Sequence, residues 1–158
     1  MTTHWTTVHS PIDELLLVAD DVGLTRLAFS PFTPPAAERN DPHPVLAAAC
    51  TQLGEFFAGE RRVFELPLAA QGSAFRRLVW DQLSTIPYGT TTTYGAIARS
   101  LGLTGHGARA VGLANGANPI AVVVPCHRVV GSDGRLTGYA GGIERKQILL
   151  ALEHSALV

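Results

Sequence analysis

The stretch TTYGAIARSLGLTGHGARAVGLANG, residues 92–116, decides how the second half of this chain folds. Thr93 is a capping residue, and residues 94–101 suit a short helix. A second short helix spans residues 108–115 and is stopped by Gly116. Only residues 102–107 separate them, and two short helices joined by a tight, glycine-containing turn have the outline of a helix-turn-helix. Helix pairs that only fill a core have the same outline, so the pattern leaves DNA binding and packing both open. Arg109 opens the second helix at the unfavourable end of its dipole, which suggests an external job beside the plain alternative of a solvated side chain. Ala108, Ala110, Gly112 and Ala114 are small enough for close approach, whether to another helix or to nucleic acid.

Upstream, Ser73 caps a helix whose apolar face is Phe75, Leu78, Val79, Leu83 and Ile86, ended by Pro87-Tyr88-Gly89. Residues 69–72 look like a junction, which divides the chain into a small α/β domain, 1–70, and a second domain, 73–158. Residues 4–30 alternate short apolar runs around Asp20-Asp21-Val22-Gly23 and predict a β-hairpin or meander. Five prolines make residues 30–44 a loop. Over residues 44–59, Leu46, Ala49, Cys50, Leu53, Phe56 and Phe57 recur at helical spacing, with Cys50 inside the buried stripe as a small core hydrophobe. Residues 64–68 read as a strand.

Downstream, the β-branched run 120–124 reads as a buried strand that delivers Cys126, within Pro125-Cys126-His127-Arg128-Val129. Val129, Val130 and Leu136 flank a turn at 131–134, residues 138–142 form a glycine-rich loop, and a last helix over 143–153 ends at Glu153. Its apolar positions are Ile148, Leu149 and Leu152. Cysteine attacks as the thiolate, so a cysteine beside an imidazole with a carboxylate behind it is a candidate nucleophile.

Composition narrows the class. The chain has 158 residues, 46% hydrophobic and 16% charged, as expected of a globular protein. No apolar run reaches the roughly 20 residues needed to span a bilayer, and MTTHWTTVHS lacks the regions of a signal peptide, so a cytoplasmic protein with no membrane role is expected. Two cysteines without CxxC spacing and six scattered histidines give no support for a metal, and no cofactor is expected. The net charge is −1, but it is unevenly placed: residues 1–72 carry four Arg against nine acids, and residues 73–158 carry seven Arg and one Lys against four. The second half suits a polyanion.

The string NPIAVVVPCHRVVGSDGRLTGYAGGIERKQILLALE, residues 118–153, resembles the active-site region of the O6-alkylguanine-DNA alkyltransferases, also called methylated-DNA–protein-cysteine methyltransferases. IPYGTTTTYGAIA and GARAVGLANGANP resemble that family's helix-turn-helix, and FFAGERRVFELPL matches its first domain more loosely. The resemblance implies an α+β fold, with an N-terminal ribonuclease-H-like α/β lobe and a mostly helical C-terminal lobe carrying the helix-turn-helix. It also implies repair by transfer of an alkyl group from O6-alkylguanine, with O4-alkylthymine as a further substrate, to Cys126 in a single turnover. His127 would be the base through a bound water, Glu153 would orient it, and Asn118 would buttress the cysteine turn; a plain turn residue before proline is the alternative for Asn118.

Because the damaged base must leave the duplex, the resemblance assigns Tyr94 to rotating its phosphate and Arg109 to filling the vacated stack. The second helix, with Ala110 and Gly112, would dock in the minor groove, and Arg128 is placed with the DNA-contacting residues. Val129, Tyr139, Ala140 and Gly141 would line the guanine pocket, Tyr139 and the Ala140 amide contacting the leaving oxygen. Some relatives have serine where this chain has Ala140, which changes little for a backbone contact. Some bind zinc through residues this chain lacks. The expected partner is double-stranded DNA bound by a monomer, without sequence specificity, mainly through phosphates. Two other readings differ in class. A binding module of this kind lacks the cysteine, and a cysteine hydrolase takes its histidine from a distant part of the chain and leaves the helix-turn-helix unexplained.

Overall fold

Strand β2 (Leu15–Ala19) is buried at every position, because it is the middle of a three-stranded antiparallel sheet with β1 (His4–Val8) and β3 (Leu24–Phe29). In this computed structural model, described for residues 1–157, the chain forms two compact units, one of Met1–Gln71 and one beginning at Gly72. The first unit contains the meander that the turn residues predict; Asp20 takes the Val22 and Gly23 amides on its side chain at 2.8 and 2.9 Å. Helix α1 (Pro44–Phe57) packs on β1 and β2. Its first residue is proline, whose missing N–H costs nothing there.

Leu46, Ala49, Leu53 and Phe56 face the core, and Cys50 is only half-buried, at the edge of the stripe rather than inside it. Residues 64–68 are not a strand. Leu68 makes one isolated bridge to Leu24, and Pro67 has no N–H with which to extend a ladder. The side chain of Gln52 takes both backbone groups of Glu65, at 2.8 and 3.1 Å, where a neighbouring strand would.

The second unit starts with α2 (Ala74–Leu83), capped as expected by Ser73 through the Arg76 amide at 3.2 Å. Its buried face is Val79, Trp80 and Leu83, continued by Ile86. Leu78, expected in the core, is 54% exposed because the face turns toward Trp80, whose Nε1 donates to Ala114 O at 2.9 Å. Strand β4 (Thr92–Thr93) lies parallel to β5 (Val129–Val130), and Thr93 then caps α3 (Tyr94–Ser100) through the Ala96 amide at 3.0 Å.

Helices α3 and α4 (Gly107–Gly116) pack on each other. A Cβ on Gly107 would lie 2.7 Å from Leu103 Cβ and 3.3 Å from Ala98 Cβ, so the turn needs glycine. Helix α5 (Ile143–Leu157) closes the chain against the cysteine turn. It buries Leu149, leaves Leu152 half-buried and Ile148 exposed.

Residues 120–124 are the clearest departure from expectation. They form a buried turn, not a strand: Val124 N bonds Ile120 O at 3.0 Å and Val123 N bonds Ala121 O at 2.9 Å. Val122 has φ +72, a left-handed conformation that a β-branched residue rarely adopts. Apolar, β-branched content records that the segment is buried. It does not record the dihedral angles, which Asn118 imposes.

Candidate active site

Asn118 brackets the turn before the cysteine. Its Oδ1 accepts from Ile120 N at 3.1 Å, and its Nδ2 donates to Val124 O at 2.9 Å. The strained Val122 is thereby held on both sides. Next, Cys126–Arg128 forms a single 3₁₀ turn. With three residues per turn, successive side chains point about 120° apart. Cys126 and His127 therefore face different ways although they are neighbours, which removes the direct thiol–imidazole pair of a cysteine hydrolase.

His127 faces α5. Its Nε2 lies 2.8 Å from Glu153 Oε2, and both side chains are withdrawn from solvent. Burial lowers the His127 pKa, against the opposing pull of Glu153. Burial raises that of Glu153, but the hydrogen bonds from His127 and Arg128 outweigh it and bring the carboxyl to about 2. The pair is thus neutral imidazole beside carboxylate. Since a carboxylate only accepts, Nε2 carries the proton and Nδ1 is the basic nitrogen. Nδ1 is buried and has no protein hydrogen-bond partner among the described residues.

Arg128 also belongs to this network and not to a DNA-contacting surface. It is 6% exposed, its Nη2 and Nε donate to Glu153 at 2.8 and 2.9 Å, and its Nη1 donates to Ile86 O at 2.8 Å. Its guanidinium also lies over the Tyr88 ring, 5.5 Å from the centroid. A carboxylate 25 residues away claims this arginine, a pairing that local sequence cannot display. Gly89 N approaches the same carboxylate at 3.4 Å.

The thiol is 3% exposed. Burial pushes its pKa up, opposed by hydrogen bonds from Asn118 and Tyr139 and by the positive charge of Lys146. At neutral pH Cys126 rests as a thiol and needs a base. Burial, together with the nearby Cys126, raises the Tyr139 pKa well above its ordinary value, so its phenol remains a donor.

Lys146, the only lysine in the chain, was not singled out by sequence. It is fully buried, and its Nζ donates to Val129 O at 2.7 Å and Thr137 O at 3.1 Å. Burial lowers its pKa. The signal was its position: Lys146, Leu149 and Glu153 stand at i, i+3 and i+7, the buried stripe of α5. Asn115 was missed as well; its Nδ2 reaches Cys126 O at 3.5 Å.

The remaining expected residues are placed as follows. Val129 is buried, and its carbonyl already holds Lys146; a carbonyl has a second lone pair for a ligand. Tyr139 and Gly141 are half-buried and Ala140 is exposed. Arg109 is exposed, and Tyr94, Ala110 and Gly112 are half-buried. No group of three or more His, Cys, Asp or Glu among the described residues is arranged to hold a metal. None of the described helices is long and apolar enough to cross a membrane.

Residues 3–70 match the family profile described as 6-O-methylguanine DNA methyltransferase, ribonuclease-like domain, and residues 74–155 match the profile for its DNA binding domain. The chain is similar to a methylated-DNA–protein-cysteine methyltransferase of Mycolicibacterium paratuberculosis, 52% identical over 149 residues, covering 93% of this chain and 90% of that protein. Similarity to the methyltransferase of the same name from Methanosarcina acetivorans is 45% over 151 residues, covering 92% and 95%. Among solved structures, Mycobacterium tuberculosis OGT in complex with DNA superposes with a TM-score of 0.89 at 47% identity, over 97% of this chain and 94% of that one.

Proposed function

This chain belongs to the 6-O-methylguanine DNA methyltransferase family, and from that premise we propose that Cys126 is the acceptor: its sulfur takes the alkyl group from O6-alkylguanine. The protein is a DNA repair methyltransferase that moves the alkyl group from DNA to its own cysteine. The observation that carries the assignment to Cys126 is a buried thiol touched by Asn118 and Tyr139, one residue from a His127–Glu153 pair. Residues 73–158 contain every group the reaction needs.

The thiol proton passes to His127 Nδ1 through a bridging water, and Glu153 stabilises the imidazolium that results. The thiolate attacks the alkyl carbon. One S–C bond forms, the C–O6 bond breaks with its electron pair going to guanine, and the proton lost by the thiol ends on guanine. Tyr139, still protonated, and the Ala140 amide donate to O6 as negative charge develops there. The product is a thioether that water does not reverse, so each protein acts once.

Access requires the base to leave the stack. Tyr94 at the start of α3 drives the rotation, and exposed Arg109 at the start of α4 takes the vacated space. Small Ala110 and Gly112 allow α4 to enter the minor groove. Binding is non-sequence-specific and is made by a monomer. A reducing compartment, the cytoplasm, is assigned because the acceptor works as a free thiol and both cysteines are free.

The test is incubation with duplex DNA containing O6-methylguanine, followed by peptide mass analysis. One methylene is expected on the peptide carrying Cys126 and none on that carrying Cys50. Continued turnover, or label on Cys50, overturns the assignment.

A further inference from the structure

Tyr94 stands at the first position of α3, and its ring lies over Gly112 of α4, where an added Cβ would sit 3.8 Å from the ring. Its hydroxyl is met at 2.9 Å by the hydroxyl of Thr137, 43 residues away, with Thr137 donating. Thr137 is itself held on two other sides. Its carbonyl accepts from buried Lys146 at 3.1 Å, and its methyl group lies against Gly131, where an added Cβ would come within 3.3 Å of Cγ2.

A β-branched side chain has few rotamers, and with the methyl seated on Gly131 the Thr137 hydroxyl has one direction left, toward Tyr94. When the phenol oxygen accepts this bond, its own proton is directed elsewhere. An accepted bond also polarises the phenol into a stronger donor. The acceptor best suited to such a donor on this family's DNA-contacting element is an anionic phosphate oxygen.

We propose that Thr137 is a positioning residue that aims the Tyr94 hydroxyl at the phosphate of the damaged nucleotide and so sets the rate at which that nucleotide leaves the helix. The proposal rests on the assignment of Tyr94 to base flipping. Fixing the phenol before DNA arrives removes an ordering cost from the encounter. It also places one side chain under two influences: the Thr137 hydroxyl serves the DNA-contacting helix, while the Thr137 carbonyl is tied through Lys146 to Val129 beside the thiol.

The experiment compares single-turnover alkyl transfer from an O6-methylguanine duplex with transfer from free O6-benzylguanine, which needs no flipping. Thr137→Val removes the hydroxyl, keeps the shape, and lies at an exposed site. The duplex rate is expected to fall roughly fivefold to tenfold, the effect of one lost hydrogen bond, so the ratio of duplex rate to free-base rate falls. Thr137→Ser restores the ratio, and Thr137→Val adds no further loss in a Tyr94→Phe background. If Tyr94→Phe lowers the ratio and Thr137→Val does not, the Thr137 proposal fails and base flipping by Tyr94 stands. If Tyr94→Phe leaves the ratio unchanged, the assignment of Tyr94 fails and takes this proposal with it. Equal loss on both substrates for Thr137→Val and Thr137→Ser overturns it in favour of a purely structural role.

Discussion

His127 and Glu153 meet at 2.8 Å, Nε2 to Oε2, in a site where both are 1% exposed or less, and this contact fixes which imidazole nitrogen acts as base. Glu153→Gln preserves the shape but removes the charge that stabilises an imidazolium. It also leaves the Arg128 guanidinium buried without its counter-ion. Transfer is expected to slow by roughly a hundredfold or more. Breaking a buried pair from one side should also cost about 3–5 kcal/mol of stability. Rapid-quench transfer assays and denaturant titration read the two effects, and an unchanged transfer rate would remove Glu153 from the mechanism.

Acid should destabilise the fold through the same pair. Burial depresses the His127 pKa below its ordinary 6.5, so the folded state resists a proton that the unfolded chain accepts. The Glu153 pKa is depressed from 4.5 to about 2. A group with a depressed folded pKa contributes stability that is present above its unfolded pKa and lost as pH falls through its folded pKa. Stability therefore declines once pH drops below about 6.5, for His127, and again between about 4.5 and 2, for Glu153. Urea midpoints measured from pH 8 to pH 3 check this, and His127→Gln should flatten the first decline.

Asn118 supports a backbone that Val122 alone would not adopt. Asn118→Ala leaves Ile120 N without its side-chain acceptor, at about 1–3 kcal/mol for a buried donor, while Val124 O keeps its bond from Cys126 N at 2.8 Å. The thiol loses a hydrogen bond at the same time. Asn118→Asp separates the two effects: it keeps the acceptor for Ile120 but sets a negative charge beside Cys126, which raises the thiol pKa further. Both variants should slow transfer, and the aspartate variant should recover more of its rate as pH rises.

The helix-turn-helix was legible because its signals are local. Thr93 and Ser73 cap as their residue types suggest, and Gly107 sits where two helices touch. The meander around Asp20-Asp21-Val22-Gly23 was legible for the same reason. Residues 120–124 were misread because apolar character specifies burial, while the turn is dictated by Asn118 side-chain bonds. Arg128 was misread because its partner Glu153 is remote in sequence. Cys50 and Leu78 lie just off the buried stripes, which run through Ala49 in one case and through Val79 and Trp80 in the other. Chemistry carried by residue type was readable; of the long-range pairings, His127 with Glu153 was implied only by the family resemblance, and Arg128 with Glu153 was not expected at all.

Lys146 offers a test in which reactivity and stability should part. Its ammonium opposes the rise that burial imposes on the Cys126 pKa, so Lys146→Met should raise that pKa further. At a fixed pH below the thiol pKa, labelling by iodoacetamide should slow, and its pH–rate profile should move to higher pH. Stability should change less. The variant leaves the Val129 and Thr137 carbonyls without a donor, but it also removes the cost of burying a charge, the cost that depresses the lysine's own pKa. These opposing effects should keep the net change within about 2 kcal/mol. Lys146→Arg keeps the charge in a larger, forked group that fits the two carbonyls poorly. It should hold the thiol profile nearer to that of the unmodified protein while destabilising the fold more than methionine does. If Lys146→Met leaves the thiol profile in place, the lysine acts on the pocket only through the two carbonyls.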